Sequence, residues 1–225
     1  MINHHPTEQM LTAFVAAELP VSLTAAVAVH AEMCSCCALR IEQLTQMQAN
    51  RWLDAARPQS EEPDWSAETL DPELEQMLDA MVLDDAPAAE QKPKAKQIAV
   101  AGQQYQLPRA LHSLPLGAFS QFGKLSRARF GLDEGALHSS LLYIQPGGGV
   151  PQHSHKGFEL TLLLSGHFSD ADGDYGPGDF ILLDGSHTHQ PVSATGCLCF
   201  TVADAPQRFT QGMNRLLNPI GNFIY

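Results

Sequence analysis

Two patterns divide the chain. Up to about residue 85 the apolar positions recur at helical spacing, and from Ile98 onward they gather into short runs broken by Gly, Pro and Asp. Thr7 can cap a first helix with Met10, Leu11, Phe14, Val15 and Leu19 on one face, ending at Pro20. Ser22 can cap a second helix running to about His30. A third, from about Cys37, carries Leu39, Ile41, Leu44, Met47 and Trp52 until Arg57-Pro58 stops it. The spacing predicts a fourth helix with Asp71 as N-cap and Pro72 in the first helical position. Leu74, Met77, Leu78, Met81 and Val82 form its apolar stripe, with Glu73, Glu75, Asp79 and Asp84 opposite.

The second half reads as strands: Ile98–Ala101, Leu141–Ile144, Leu160–Leu164, Phe180–Leu183 and Cys197–Val202. Short apolar runs separated by turn residues predict a sandwich or barrel. The expected fold class is therefore multidomain α plus β, a helical bundle followed by a β-barrel of jelly-roll type. The expected boundaries are 1–85 for the helical domain, 86–97 for an Ala-, Pro- and Lys-containing linker, and 98–225 for the barrel.

Charge reinforces that division. Residues 1–85 hold 15 of the 25 acidic residues and 3 of the 13 basic ones, so the whole net charge of −12 sits there. A surface without clustered Lys and Arg is not built to displace counterions from phosphates, which argues against direct nucleic-acid binding. A basic protein partner, or a plain solubilising face, accounts for the acidity. The start of the chain lacks a signal-peptide pattern, and the apolar stretch from Val21 to Ala31 is too short and polar-interrupted to span a bilayer, which needs about 20 residues. The expectation is a cytoplasmic protein that does not engage membranes. Five cysteines in two tight clusters suit metal binding or redox chemistry better than a disulfide framework.

Two constellations carry candidate chemistry. His30, Cys34 and Cys37 form His-x3-Cys-x2-Cys, three of the four Cys/His ligands that a structural zinc site needs. His4, His5 or the additional Cys36 can supply the fourth, and a metal-free Cys34/Cys37 dithiol switch is the competing reading. Downstream stands Gly147-x5-His153-x-His155-x3-Glu159-x6-Gly166, followed by Pro177-Gly178-Asp179 and by His187 and His189. Residues two apart on a strand share a face, so His153 and His155 converge inside a barrel, where Glu159 can join them. Imidazole and carboxylate donors suit several divalent transition metals. Cys197 and Cys199 also share a strand face, either as buried structural thiols or as a redox pair near that metal.

With His5, His30, Cys34 and Cys37, the N-terminal half resembles the zinc-binding anti-sigma domain. The downstream motifs resemble the cupin domain of the ChrR family, and the resemblance spans nearly the whole chain. It implies His5 as the fourth ligand of the first site, from the start His4-His5-Pro6-Thr7-Glu8, and His189 with His153, His155 and Glu159 in the second, since His189 fits the cupin spacing better than His187. Cys36 is a thiol between the motif cysteines that the family pattern does not account for. The implied function is regulatory and not enzymatic. The helical domain would bind an extracytoplasmic-function (group IV) sigma factor, in a 1:1 complex, and keep it from core RNA polymerase. The cupin domain would release it on an oxidative signal such as singlet oxygen or organic peroxide. The fourth helix would then offer carboxylates to a basic sigma surface while Leu74, Met77, Leu78 and Met81 fill an apolar groove. Zinc is the expected metal of the first site, and zinc or another divalent transition metal that of the second. The alternative is a cupin metalloenzyme, a dioxygenase or isomerase, with the helices as an accessory module.

Overall fold

The computed structural model describes residues 2–56, 71–82 and 95–209. The expected stop at Arg57-Pro58 and most of the expected linker lie outside them. Helix α1 spans Glu8–Val15 and is capped as its sequence predicts, the Met10 amide donating to Thr7 Oγ1 at 3.2 Å. Helix α2, Val21–Met33, starts differently from expectation: Ser22 is its second residue and is fully buried. The Ser22 amide donates instead to the carboxylate of Glu134, at 3.1 and 3.2 Å. A distant carboxylate thus caps this helix, neutralising the positive end of its dipole. Helix α3, Ser35–Ala56, begins two residues before the expected Cys37.

Two compact units emerge. One comprises residues 1–48 together with 95–225, the other residues 49–94. Within the second, α4 spans Pro72–Val82, and Asp71 Oδ1 caps it by accepting from the Glu73 amide at 2.9 Å. Leu74, Met77 and Leu78 are exposed on it. The side chain of Met81 lies outside the described residues.

The first unit is organised by a six-stranded antiparallel sheet in the order Phe180–Leu183, Glu159–Gly166, Cys197–Ala203, His138–Ile144, Leu125–Arg129, Ser120–Phe122. Its central strands are buried on both faces. Leu198, Phe200, Val202, Leu141, Tyr143, Leu160 and Leu162 form one core with Leu11 of α1 and Ala25, Ala26, Val27 and Val29 of α2. Alternate residues Cys197, Cys199, Ile144, Leu163 and Ile181 form a second core with Phe168 and Tyr175, which belong to a small four-stranded sheet. This double burial explains why the strands read as near-continuous apolar runs and why α2, with Ala and Val on most of its faces, has no strongly polar side. A three-stranded sheet of Thr188–His189, His153–Ser154 and Arg208–Phe209 completes the jelly-roll part. Gln97–Val100 and Gln103–Gln106 form a separate hairpin. No single described helix is long and apolar enough to cross a membrane; α2 and α3 meet that test only as a pair bent by 119°.

Candidate metal centres

The first site grows out of the break between α2 and α3. Cys34 leaves the helix in an extended conformation, φ −124° and ψ 102°, while its amide still donates to the His30 carbonyl at 2.8 Å. That turn sets the Cys34 side chain beside Cys37 in the first turn of α3. His5 arrives from the extended segment before α1, with Nδ1 3.5 Å from both the Cys34 and the Cys37 sulfur. His30 is fully buried and its Nε2 lies 3.3 Å from His5 Nδ1. Its other ring nitrogen donates to the Gly178 carbonyl at 2.8 Å. A carbonyl can only accept, so the proton sits on Nδ1 and the Nε2 lone pair faces the cluster, the arrangement found behind metal-bound histidines. Burial also holds the His30 ring below its usual pKa, favouring the neutral, ligating form.

The donor atoms of His5, Cys34, Cys36 and Cys37 all lie within 4.8 Å of one another. The expected His30 is not among these four and Cys36 is; His30 adjoins the set at His5, which gives five candidate donors for four positions. Cys36 is exposed and its sulfur is 3.2 Å from that of Cys34. His4 points elsewhere: its Nδ1 is 3.4 Å from Asp179 Oδ1, and its ring lies against Tyr175. Tetrahedral zinc with bonds of about 2.0–2.1 Å to nitrogen and about 2.3 Å to sulfur implies edges of about 3.6 Å for N···S and about 3.3 Å for N···N. The His5–Cys34, His5–Cys37 and His5–His30 separations match those edges. Burial alone would raise the Cys34 thiol, but hydrogen bonds from Cys37 and Cys36 outweigh it and leave it lowered. Burial and the neighbouring Cys34 push Cys37 up to about 12 without a metal, so binding must displace its proton.

The second site lies inside the jelly roll. His153 and His189 are direct cross-strand partners, and the Nε2 of His189 is 3.1 Å from that of His153 and 3.2 Å from that of His155. Glu159, the first residue of its strand, brings Oε2 to 3.2 Å from His155, 3.5 Å from His189 and 3.8 Å from His153. All four residues are buried. His187 remains on the surface with Asp184, so the structure brings His189 and not His187 to the cluster. The Nδ1–H of His153 donates to the Pro151 carbonyl at 2.8 Å, which leaves its Nε2 as an acceptor. Gln207 donates to Glu159 Oε1 at 3.0 Å, leaving Oε2 to face the histidines. Asp170 Oδ2 stands 3.4 Å from His189 Nδ1.

Three imidazole nitrogens at these separations fit the edges of a coordination sphere with bonds of about 2.0–2.1 Å, which run from about 2.9 Å at right angles to about 3.3 Å in a tetrahedron. The electrostatics agree. Burial pushes His155 down to about 4, against the attraction of Glu159. Burial would raise Glu159, but hydrogen bonds with His153 and His189 hold it well below its usual range. Burial would lower His189, but Glu159 and Asp170 outweigh it and leave it raised, so a metal ion must displace a proton there. The buried Glu159 carboxylate is a negative charge that a divalent cation would neutralise. The adjoining cavity has a volume of about 30 Å³ and is lined by His153, Glu159, His189, Asp170 and Cys199 among others. Cys197 and Cys199 are both buried, and the hydrogen bond between them draws the Cys197 thiol down and pushes that of Cys199 well up.

Against known proteins, residues 125–206 match the family described as the ChrR cupin-like domain. Over 220 residues the chain is 29% identical to the anti-sigma-E factor ChrR of Cereibacter sphaeroides, covering 97% of each protein. The chain is thus similar to that anti-sigma factor over almost its whole length. In the crystal structure of Rhodobacter sphaeroides SigE in complex with the anti-sigma ChrR, one chain shares the fold with a TM-score of 0.62 at 24% identity, covering 91% of this chain and 100% of that one. The expected helices followed by a cupin jelly roll are thus observed, and both donor clusters belong to this ChrR-like frame. The layer behind the donors carries little sequence signal: Asp170 and Gln207 stand in no motif, and Asp179 belongs only to Pro177-Gly178-Asp179.

Proposed function

We propose that this protein is an anti-sigma factor that holds an extracytoplasmic-function sigma factor in a 1:1 complex in the cytoplasm and releases it on an oxidative signal such as singlet oxygen or organic peroxide. The observation that carries the reading is the similarity to anti-sigma-E factor ChrR along 97% of both chains, in a protein with two separate metal-ready clusters. In this reading residues 1–85 form the sigma-binding part, 86–97 the connector and 98–225 the sensor. His5, His30, Cys34 and Cys37 hold a structural zinc ion; Cys36, whose sulfur lies within the same donor cluster, is the spare donor in this assignment. The acidic helix α4 supplies carboxylates to basic sigma surfaces, and its stripe of Leu74, Met77, Leu78 and Met81 supplies the apolar contact.

His153, His155, Glu159 and His189 hold zinc or another divalent transition metal in the sensor. Such an ion, when bound, polarises what reaches it and fixes the barrel interior. Oxidation of these ligands or of Cys197 and Cys199 then changes barrel packing, which passes to the sigma-binding part. The competing metalloenzyme reading is disfavoured by the space at the metal cluster. About 30 Å³, with a neighbouring cavity of about 50 Å³ that shares Glu159 and Gln207, is far below the roughly 300 Å³ at which small-molecule sites begin. That room suits a water or a diatomic molecule. Co-expression of the full chain with the extracytoplasmic-function sigma factors of its own organism tests the reading. A stoichiometric complex that dissociates under singlet oxygen supports it, and failure to co-purify with any of those sigma factors contradicts it.

A further inference from the structure

The second cupin motif does something at its turn that the barrel alone does not require. Asp179 is buried, with 2% of its surface exposed, and both of its carboxylate oxygens accept from backbone amides. Its Oδ1 accepts from the backbone amides of Asn3 at 2.7 Å and His4 at 3.0 Å. Its Oδ2 accepts from the Gly176 amide at 2.8 Å, which closes the turn. The Phe180 amide donates back to the His4 carbonyl at 3.0 Å. One residue before Asp179, the Gly178 carbonyl orients the His30 ring. Gly178 has φ +93°, and a Cβ there would run into the side chain of Ile2, so the N-terminal segment lies directly on the turn.

The turn therefore grips the first cluster twice, fixing the backbone immediately before His5 and the ring orientation of His30. We propose that Asp179 is a positioning residue of the first metal site, and that the barrel's 176–180 turn serves as that site's supporting shell. The inference rests on the reading that the His5, His30, Cys34 and Cys37 set binds metal. It has a physical consequence for signalling. The strand that leaves this turn, Phe180–Leu183, pairs with Glu159–Gly166 so that Leu183 lies opposite Glu159. The supporting shell of one metal centre is thus a single four-residue strand away from a ligand of the other. No long-range rearrangement is needed for the sensor to reach the first site.

Supporting-shell substitutions at metal sites cost about 10–100-fold in affinity. The test uses full-length protein loaded with Co(II), because thiolate-to-metal charge-transfer absorption reports the cysteine-containing site and not the His/Glu site. Asp179→Ala should weaken cobalt binding in the thiolate band at least about tenfold while the barrel site keeps its metal. Asp179→Asn, which retains one acceptor oxygen for the Asn3 and His4 amides, should recover part of that loss. A wild-type thiolate band with an unchanged affinity in Asp179→Ala overturns the inference and leaves the metal reading standing. A wild-type protein without the band removes both. Should the alanine variant fail to fold, amide exchange in the wild-type protein decides. Loading the first site must slow exchange at the Phe180 and His4 amides, and equal rates with and without metal overturn the proposal.

Discussion

The Nδ1–H of His30 donates to the carbonyl oxygen of Gly178 at 2.8 Å, joining the end of α2 to the cupin turn across 148 positions of sequence. The same bond fixes which nitrogen of a buried histidine faces His5, the residue that meets the Cys34 and Cys37 thiols. A helix that read as part of a separate bundle is therefore also part of the barrel's surroundings.

If His30 is the fourth ligand of the first site, His30→Ala should abolish high-affinity zinc binding there and weaken sigma binding, while the barrel cluster keeps its metal. Cys36→Ser should leave metal content unchanged, because the proposed four-ligand set leaves Cys36 as the spare donor. Metal analysis of the two purified variants checks this. Retention of zinc by His30→Ala together with its loss from Cys36→Ser would reverse the assignment.

Glu159→Gln removes the carboxylate from the barrel set and should deplete its metal. Sigma binding should survive and release under singlet oxygen should be impaired. Titration of metal content alongside a sigma pull-down separates the two effects. A variant that loses sigma binding as completely as His30→Ala would contradict the division of roles.

Acid should act on the tie between Asp179 and the N-terminal segment. Burial alone would raise this carboxyl, but the amides of Gly176, Asn3 and His4 outweigh it, so its folded-state pKa lies below the usual carboxylate value. A depressed carboxylate contributes stability that is fully present above its unfolded pKa and is lost as pH falls through the folded one. In metal-free protein the gap in urea midpoint between wild type and Asp179→Asn should stay constant from about pH 7 to pH 5 and narrow below about pH 4. A gap that persists undiminished at pH 3 would show that the carboxylate charge is not involved.

Phe200 is fully buried between the sheet and the helices and meets Phe130 edge-on, with ring centroids 5.6 Å apart. Phe200→Ala should cost about 3–5 kcal/mol of unfolding free energy. Urea denaturation would measure it, and a loss under about 1 kcal/mol would mean that this core is not the shared one described above.

The order of elements and the grouping of the four barrel residues were legible because they depend on local pattern, whereas Cys36, and not His30, joins His5, Cys34 and Cys37 in the first cluster. Thr7 and Asp71 cap the helices their positions predict, and the spacing of His153, His155, Glu159 and His189 follows from strand geometry. Contacts between distant segments were not legible. Glu134 displaces Ser22 as the effective cap of α2 because it approaches from 112 residues away. The packing of α2 on the outer face of the sheet could not be read from its Ala- and Val-rich composition, which has no polar side to orient it. The weakly patterned strands Gln103–Gln106 and Leu125–Arg129, with their Gln and Arg, gave no apolar run to recognise.

The most direct test is to purify the full chain in complex with an extracytoplasmic-function sigma factor of its own organism and to follow the complex by size-exclusion chromatography before and after exposure to singlet oxygen, with transcription by added core RNA polymerase as the readout. The account predicts a 1:1 complex that is silent in transcription until exposure frees the sigma factor. A chain that neither binds the sigma factor nor represses its transcription would contradict it.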